Sequence, residues 1–222
     1  MGDRAAKDAL YDGFSVVAKA MANGRRAEMI DVLSQGERSV EELAAEIGQS
    51  VANTSQHLRH LAGAGLVRAR RDGNRVFYAP SSPRVAELWQ ALRGVAADHV
   101  AQIDRLAAAY LGDRDGLETI TRDELARRLR SGEVIVLDVR PEAEHRAGHI
   151  LGARSVPIGT LHAELDHLPS GQEVVAYCRG PYCVYADDAV RELRRRGITA
   201  RRLEDGYPEW AKAGLPTAAN VP

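Results

Sequence analysis

Cys178 and Cys183 are the only two cysteines in a chain of 222 residues, and both stand in one short loop, Tyr177-Cys178-Arg179-Gly180-Pro181-Tyr182-Cys183. An apolar run, Val174 to Tyr177, precedes the loop, and a helical pattern, Ala186 to Leu193, follows it. A strand that empties into a loop at a helix N-terminus aims backbone N–H groups at the loop's first side chain, where they favour an anion. An arginine beside a thiol works in the same direction. The pattern points to nucleophilic sulfur on Cys178, with Arg179 promoting its thiolate. The backbone of Gly180, Pro181, Tyr182 and Val184 would complete the cradle. Cys183 reads either as a small buried hydrophobe or as a second thiol brought back toward the first. The tightness of the loop favours the second.

Another group of residues suggests a different chemistry. From Ser50 to Tyr78 there are five arginines (Arg59, Arg68, Arg70, Arg71, Arg75) against one acid, Asp72, a local +4 in a chain whose net charge is −1. A basic cluster of this kind is an electrostatic footprint for nucleic acid.

The elements that must position these groups fall into two sets. Up to about Leu111 the chain reads as helical: Leu10 to Met21, Arg25 to Leu33, then a helix capped by Ser39, with Glu42 completing a capping box. A fourth helix opens at Ser50, with Val51, Leu58 and Leu61 inward and Asn53, Thr54, Ser55, Gln56, His57, Arg59 and His60 outward. Two short strands, Leu66 to Arg70 and Arg75 to Tyr78, join through Asp72-Gly73-Asn74, residues suited to a hairpin turn. A single helix is expected from about Pro83 to Leu111. Helix, turn, helix and basic hairpin make a winged helix, which lays one helix in the major groove and a wing along the backbone.

Beyond the polar stretch Gly112 to Gly116, strands and helices alternate. Strands are expected at Val134–Val139, Ala153–Val156, Glu173–Tyr177 and Ala200–Leu203. Helices are expected at Thr121–Arg130, Thr160–His167, Val184–Arg196 and Tyr207–Ala213. Short apolar strands alternating with helices imply a parallel sheet covered on both faces. The expected organisation is a mainly α winged helix-turn-helix over 1–111, a linker at 112–117, and an α/β parallel-sheet domain over 118–222.

Within the first half, Val40-Glu41-Glu42-Leu43-Ala44-Ala45-Glu46-Ile47-Gly48, Ser55-Gln56-His57-Leu58-Arg59-His60-Leu61 and Ala64-Gly65-Leu66-Val67 together resemble the ArsR family of winged-helix repressors. The resemblance implies a homodimer built through the first and last helices, and a duplex operator that is an imperfect inverted repeat. The thiol pair that many members place on the third helix falls near Ser39 and Glu41 here, and the persulfide-sensing pair is absent. His57 and His60 are taken as DNA contacts rather than zinc ligands. No metal and no cofactor is expected.

In the second half, Leu137-Asp138-Val139-Arg140-Pro141-Glu142-Ala143-Glu144-His145-Arg146-Ala147-Gly148-His149-Ile150-Leu151-Gly152-Ala153 and Asp205-Gly206-Tyr207-Pro208-Glu209-Trp210 resemble the two signatures of rhodanese domains. The resemblance implies that Cys178 accepts sulfane sulfur as a persulfide, and that a loop of six residues, Cys178 through Cys183, suits sulfur rather than phosphate or arsenate. Asp138 and Arg140 are expected to fix the loop and sheet. His145 and His149 are expected to serve as scaffold. Cys183 stands where many members carry Ser, Thr or Ala, and would resolve the persulfide.

Joined, the halves describe a DNA-binding repressor whose operator affinity follows the sulfur state of Cys178, with thiosulfate, polysulfide or a persulfide as donor. Three alternatives stay open: a working sulfurtransferase tethered to DNA, an arsenite or soft-metal response at Cys178 and Cys183, and an inert docking module. Two cysteines make no disulfide framework, so a reducing cytoplasm is expected. No apolar stretch approaches the ~20 residues of a membrane span, and the first residues lack the apolar core of a signal peptide.

Overall fold

The computed structural model describes residues 2–168 and 171–219, with Asp166 described by its backbone alone, and the chain divides between Val100 and Ala101 into two compact units.

The first unit runs α1 (Arg4–Met21), α2 (Gly24–Leu33), β1 (Arg38–Ser39), α3 (Val40–Glu46), α4 (Val51–Gly63), β2 (Val67–Asp72), β3 (Arg75–Pro80) and α5 (Pro83–His99). Each of the middle helices begins where a side chain takes up an orphan N–H: Asn23 accepts from Arg26, Ser39 from Glu42, and Ser50 from Asn53. At Ser39 the Glu42 carboxylate returns the bond, completing the box. The core gathers Met29, Ile30, Leu33, Leu43, Leu58 and Leu61 from three helices. The strands form an antiparallel sheet in the order β1-β3-β2, with Asp72 opposite Arg75. That register leaves two residues for the turn, and Gly73 takes φ +56°, as the first position of a type II′ turn requires.

One expectation is corrected here. The helix read from Pro83 to Leu111 is interrupted: α5 ends at His99, Val100 is extended (φ −99°, ψ 97°), and α6 (Ile103–Leu111) starts afresh. Asp98, His99 and Val100 are weak helix formers, while the apolar spacing continues across the break from Val95 to Ile103 and Leu106. Periodicity alone therefore hides it.

The second unit continues from α6 through β4 (Thr119–Ile120), α7 (Arg122–Arg130), β5 (Val134–Asp138), α8 (Glu142–Ala147), β6 (His149–Ile150), β7 (Arg154–Ser155) and α9 (Leu161–Glu164). After a 3-10 turn come β8 (Glu173–Tyr177), α10 (Tyr185–Arg195), β9 (Ala200–Leu203), α11 (Tyr207–Lys212) and β10 (Thr217–Ala218). Five strands form a parallel sheet in the order β4-β9-β8-β5-β7, and β10 pairs antiparallel with β6 beside it. Successive side chains of a strand face opposite ways. Ile135, Leu137, Val174 and Ala176 join the cluster under α10, while Val134, Val136, Val175 and Tyr177 join the opposite cluster with Trp210. Cys178 continues the parity of Val174 and Ala176, so its sulfur falls on the α10 side. Among the described residues no helix is long and apolar enough to cross a membrane.

Candidate functional site

The loop after β8 brings Cys178 and Cys183 together. Cys178 is 2% exposed and Cys183 half-buried, and each thiol shifts the ionisation of the other. The cradle is shared between them: backbone groups of Ala186 and Gly180 favour an anion at Cys178, while those of Arg179 and Tyr185 do so at Cys183. The Cys178 sulfur also lies 3.7 Å from the Cys183 carbonyl and 3.9 Å from that of Gly180.

Charge is distributed unlike the expectation. Burial pushes the Cys178 thiol well up, and the neighbouring Cys183 thiol pushes it further. The Cys183 pKa is lowered, first by the neighbouring Cys178 thiol and then, against burial, by the Arg179 and Tyr185 backbone. Of the two sulfurs, the outer one is thus the one eased toward ionisation. The Arg179 guanidinium, expected to promote ionisation of Cys178, is bound by the fully buried Glu144: Nε lies 3.1 Å from each carboxylate oxygen and Nη2 2.6 Å from Oε1. Its positive charge lowers the Cys183 pKa.

Behind the loop, Asp138 and Arg140 are completely buried. Asp138 accepts from Arg140 Nε at 2.9 Å, from Arg140 Nη2 at 2.6 Å and from the Tyr177 hydroxyl at 2.7 Å. Arg140 also donates to the Gly148 carbonyl at 2.7 Å and lies over the Tyr207 ring. Neither reaches sulfur. They fix Tyr177, the residue before Cys178, while the Tyr207 N–H donates to the Cys178 carbonyl. His145 and His149 stack at 3.7 Å between ring centres, with His145 near the Ala153 carbonyl and His149 bonding the His145 carbonyl.

Sequence reasoning missed four contributors. Arg114 donates from Nε to Asp187 (2.6 Å) and from its two terminal nitrogens to the carbonyls of Pro181 (3.0 Å) and Cys183 (3.3 Å). Asp187 is completely buried and also pairs with Arg202 at 3.4 Å. An acid in the first turn of a helix is ordinary, so nothing in the local pattern marked it. Glu144 lay inside the signature run without a distinguishing feature. Gly206 approaches the loop so closely that a Cβ there would sit 2.2 Å from the Gly180 nitrogen.

On the first unit, α4 presents Asn53, Gln56, Arg59 and His60 to solvent, with Ser55 and His57 half-buried. Two orientations are corrected. Thr54, expected outward, is fully buried with no hydrogen-bond partner for its hydroxyl, and Val51, expected inward, is 46% exposed. Thr54 lies four residues before Leu58 and so shares its inward face. Burial, with nearby Arg26 and His60, lowers the His57 pKa. The wing arginines are unequal. Arg70 binds Glu37 through Nε (3.1 Å) and Nη2 (2.6 Å) and also pairs with Asp72. Arg75 reaches Ser39 Oγ at 2.9 Å and Glu42 at 2.8 Å. Arg68 and Arg71 are exposed with no acid partner among the described residues. Among the described residues no group of three or more His, Cys, Asp or Glu could hold a metal ion.

Comparison with known proteins agrees with both halves. Residues 23–69 match the model of the bacterial regulatory protein, arsR family, and residues 121–213 match that of the rhodanese-like domain. The chain is 45% identical over 216 residues to the HTH-type transcriptional regulator Rv0324 of Mycobacterium tuberculosis, covering 97% of this chain and 95% of that protein. It is 37% identical over 86 residues to a probable mercury resistance operon repressor of Streptomyces lividans, covering 39% of this chain and 69% of the other. A homodimeric winged helix-turn-helix DNA-binding domain from Mycobacterium bovis is 41% identical, with a TM-score of 0.42, and covers 46% of this chain and 93% of its own. The chain belongs to the arsR family of bacterial regulatory proteins, as a DNA-binding transcriptional regulator that carries a rhodanese-like domain.

Proposed function

We propose that this regulator is a repressor that releases its operator when sulfane sulfur closes Cys178 and Cys183 on one another. The observation that carries the reading is the thiol pair: two cysteines at the ends of one loop, the Cys178 thiol bonded to the Cys183 carbonyl and the outer thiol eased toward ionisation. Cys183 is the more exposed of the two and meets the donor first, an order that departs from the rhodanese resemblance. Its thiolate attacks a sulfur of a polysulfide, and the shortened polysulfide leaves with the electron pair of the broken S–S bond. Cys178 gives up its proton and attacks the Cys183 sulfur. Hydrosulfide leaves, so the two thiols are oxidised to a disulfide and the transferred sulfur is reduced.

The regulator acts as a homodimer on an inverted repeat. Support comes from the apolar side chains left exposed on α1 and α5, among them Tyr11, Phe14, Leu92 and Val95. Coupling of about 1–3 kcal/mol would change operator affinity roughly 5- to 150-fold.

The test is operator binding by gel shift with reduced and polysulfide-treated protein, the sulfur state being read by mass spectrometry. Treated wild type should release DNA. Cys178→Ser should stop at a Cys183 persulfide and stay bound, and Cys183→Ser should stay bound with little sulfur taken up. Wild-type protein that carries the disulfide yet binds unchanged would end the reading. Rapid turnover of thiosulfate with cyanide, with operator binding indifferent to sulfur, would favour a sulfurtransferase instead.

A further inference from the structure

The stretch Gly112–Gly116 has the composition of a free linker, but it is stitched to the sulfur unit. The Asp113 carbonyl accepts from Arg191 at 2.6 Å and the Gly116 carbonyl from Arg194 at 2.5 Å. Leu117 packs against the cluster that contains Cys178. Arg114 goes furthest, with its Nε on buried Asp187 and its two other nitrogens on the Pro181 and Cys183 carbonyls.

We propose that Arg114 is the coupling residue of the sulfur loop: it grips the loop's outer carbonyls while anchored to Asp187, and so ties loop shape to the segment that follows α6. The geometry is specific to a guanidinium. Its planar fork meets three acceptors on two elements at once, which an ammonium on a flexible stem does not reproduce. Asp187 is fixed within α10 and flanked by Arg202, so it acts as the rigid end of the strap. The Pro181 and Cys183 carbonyls are the movable end, because closing Cys183 onto Cys178 must reshape the backbone between them. Arg114 lies three residues beyond Leu111, the last residue of α6, with Gly112 at φ +67° turning the chain between. A shift of those carbonyls therefore releases or drags the residues that terminate α6. Arg114 touches neither sulfur in this arrangement and is a positioning residue.

The inference rests on reading Cys178 and Cys183 as a closable pair, and the experiment separates the two. Full-length protein is compared reduced and after diamide, which takes up the two thiol hydrogens as it is reduced. Hydrogen exchange is followed over residues 103–117, and operator binding is measured in parallel. Wild type should show at least a severalfold change in exchange at 112–117 once mass spectrometry confirms the disulfide. Arg114→Ala and Arg114→Lys should exchange fast in both states. Reduced Arg114→Ala should bind operator within about twofold of wild type yet lose most of the oxidative release. Confirmed disulfide with unchanged exchange at 112–117 in wild type would overturn the strap, as would Arg114→Ala that releases DNA as fully as wild type. Coupled exchange with no effect on DNA would keep the strap and sink the reading of operator control. Failure to form any disulfide would sink both.

Discussion

At the scale of single residues, partners decide role more than type does. Four wing arginines look alike in the sequence, yet Glu37 and Asp72 occupy Arg70, and Ser39 and Glu42 occupy Arg75. Arg71 is therefore expected to be the better phosphate contact. Arg71→Ala should shallow the log–log dependence of operator affinity on salt by about one unit, as expected for one lost phosphate. Arg70→Ala should change the slope by less. Fluorescence anisotropy across a salt series reads both, and equal effects would contradict the distinction. Gly206 makes a steric prediction. Its φ of −130° suits any residue, so the constraint is space, not backbone freedom. Gly206→Ala must push the Arg179–Gly180 peptide away, costing about 1–3 kcal/mol as overpacking does. A melting curve should show that loss, and thiol alkylation should speed up at Cys178.

Secondary elements show what periodicity can and cannot reveal. The capping box at Ser39, the hairpin at Gly73, the strand leading to Cys178 and α10 were all legible, because each has a local rule behind it. The break at Val100 was not legible, since apolar spacing runs through it. Nor was the inward turn of Thr54, a polar residue on the buried face of α4. The partners Arg114, Glu144 and Asp187 were invisible for a deeper reason: Arg114 meets Asp187 across 73 residues of chain and Arg179 meets Glu144 across 35. The exposed apolar side chains of α1 and α5 argue for a second copy, so Phe14→Glu or Leu92→Glu should shift sedimentation from dimer to monomer and abolish operator binding. Helix α8 carries an acid sensitivity at His145. Burial, and then the neighbouring His149 and Arg140 charges, lower the His145 pKa although its backbone bond to Ala153 raises it. A folded-state pKa below the unfolded one means stability that is present above pH ~6.5 and lost as pH falls through the lower value. Thermal melts between pH 7.5 and 5 should fall more steeply in wild type than in His145→Gln.

The whole chain joins a DNA-binding winged helix to a rhodanese-like domain, and both were legible in short motifs. Composition placed the connection at 112–117, whereas Asp113, Arg114 and Gly116 are bonded into the sulfur unit and the chain divides at Val100. That stitching has a consequence for how the molecule comes apart. A protease of broad specificity, used sparingly, should cut around Val100 to Gln102 and spare Gly112 to Gly116. The smaller product would keep the wing, and the larger would keep α6 together with both cysteines.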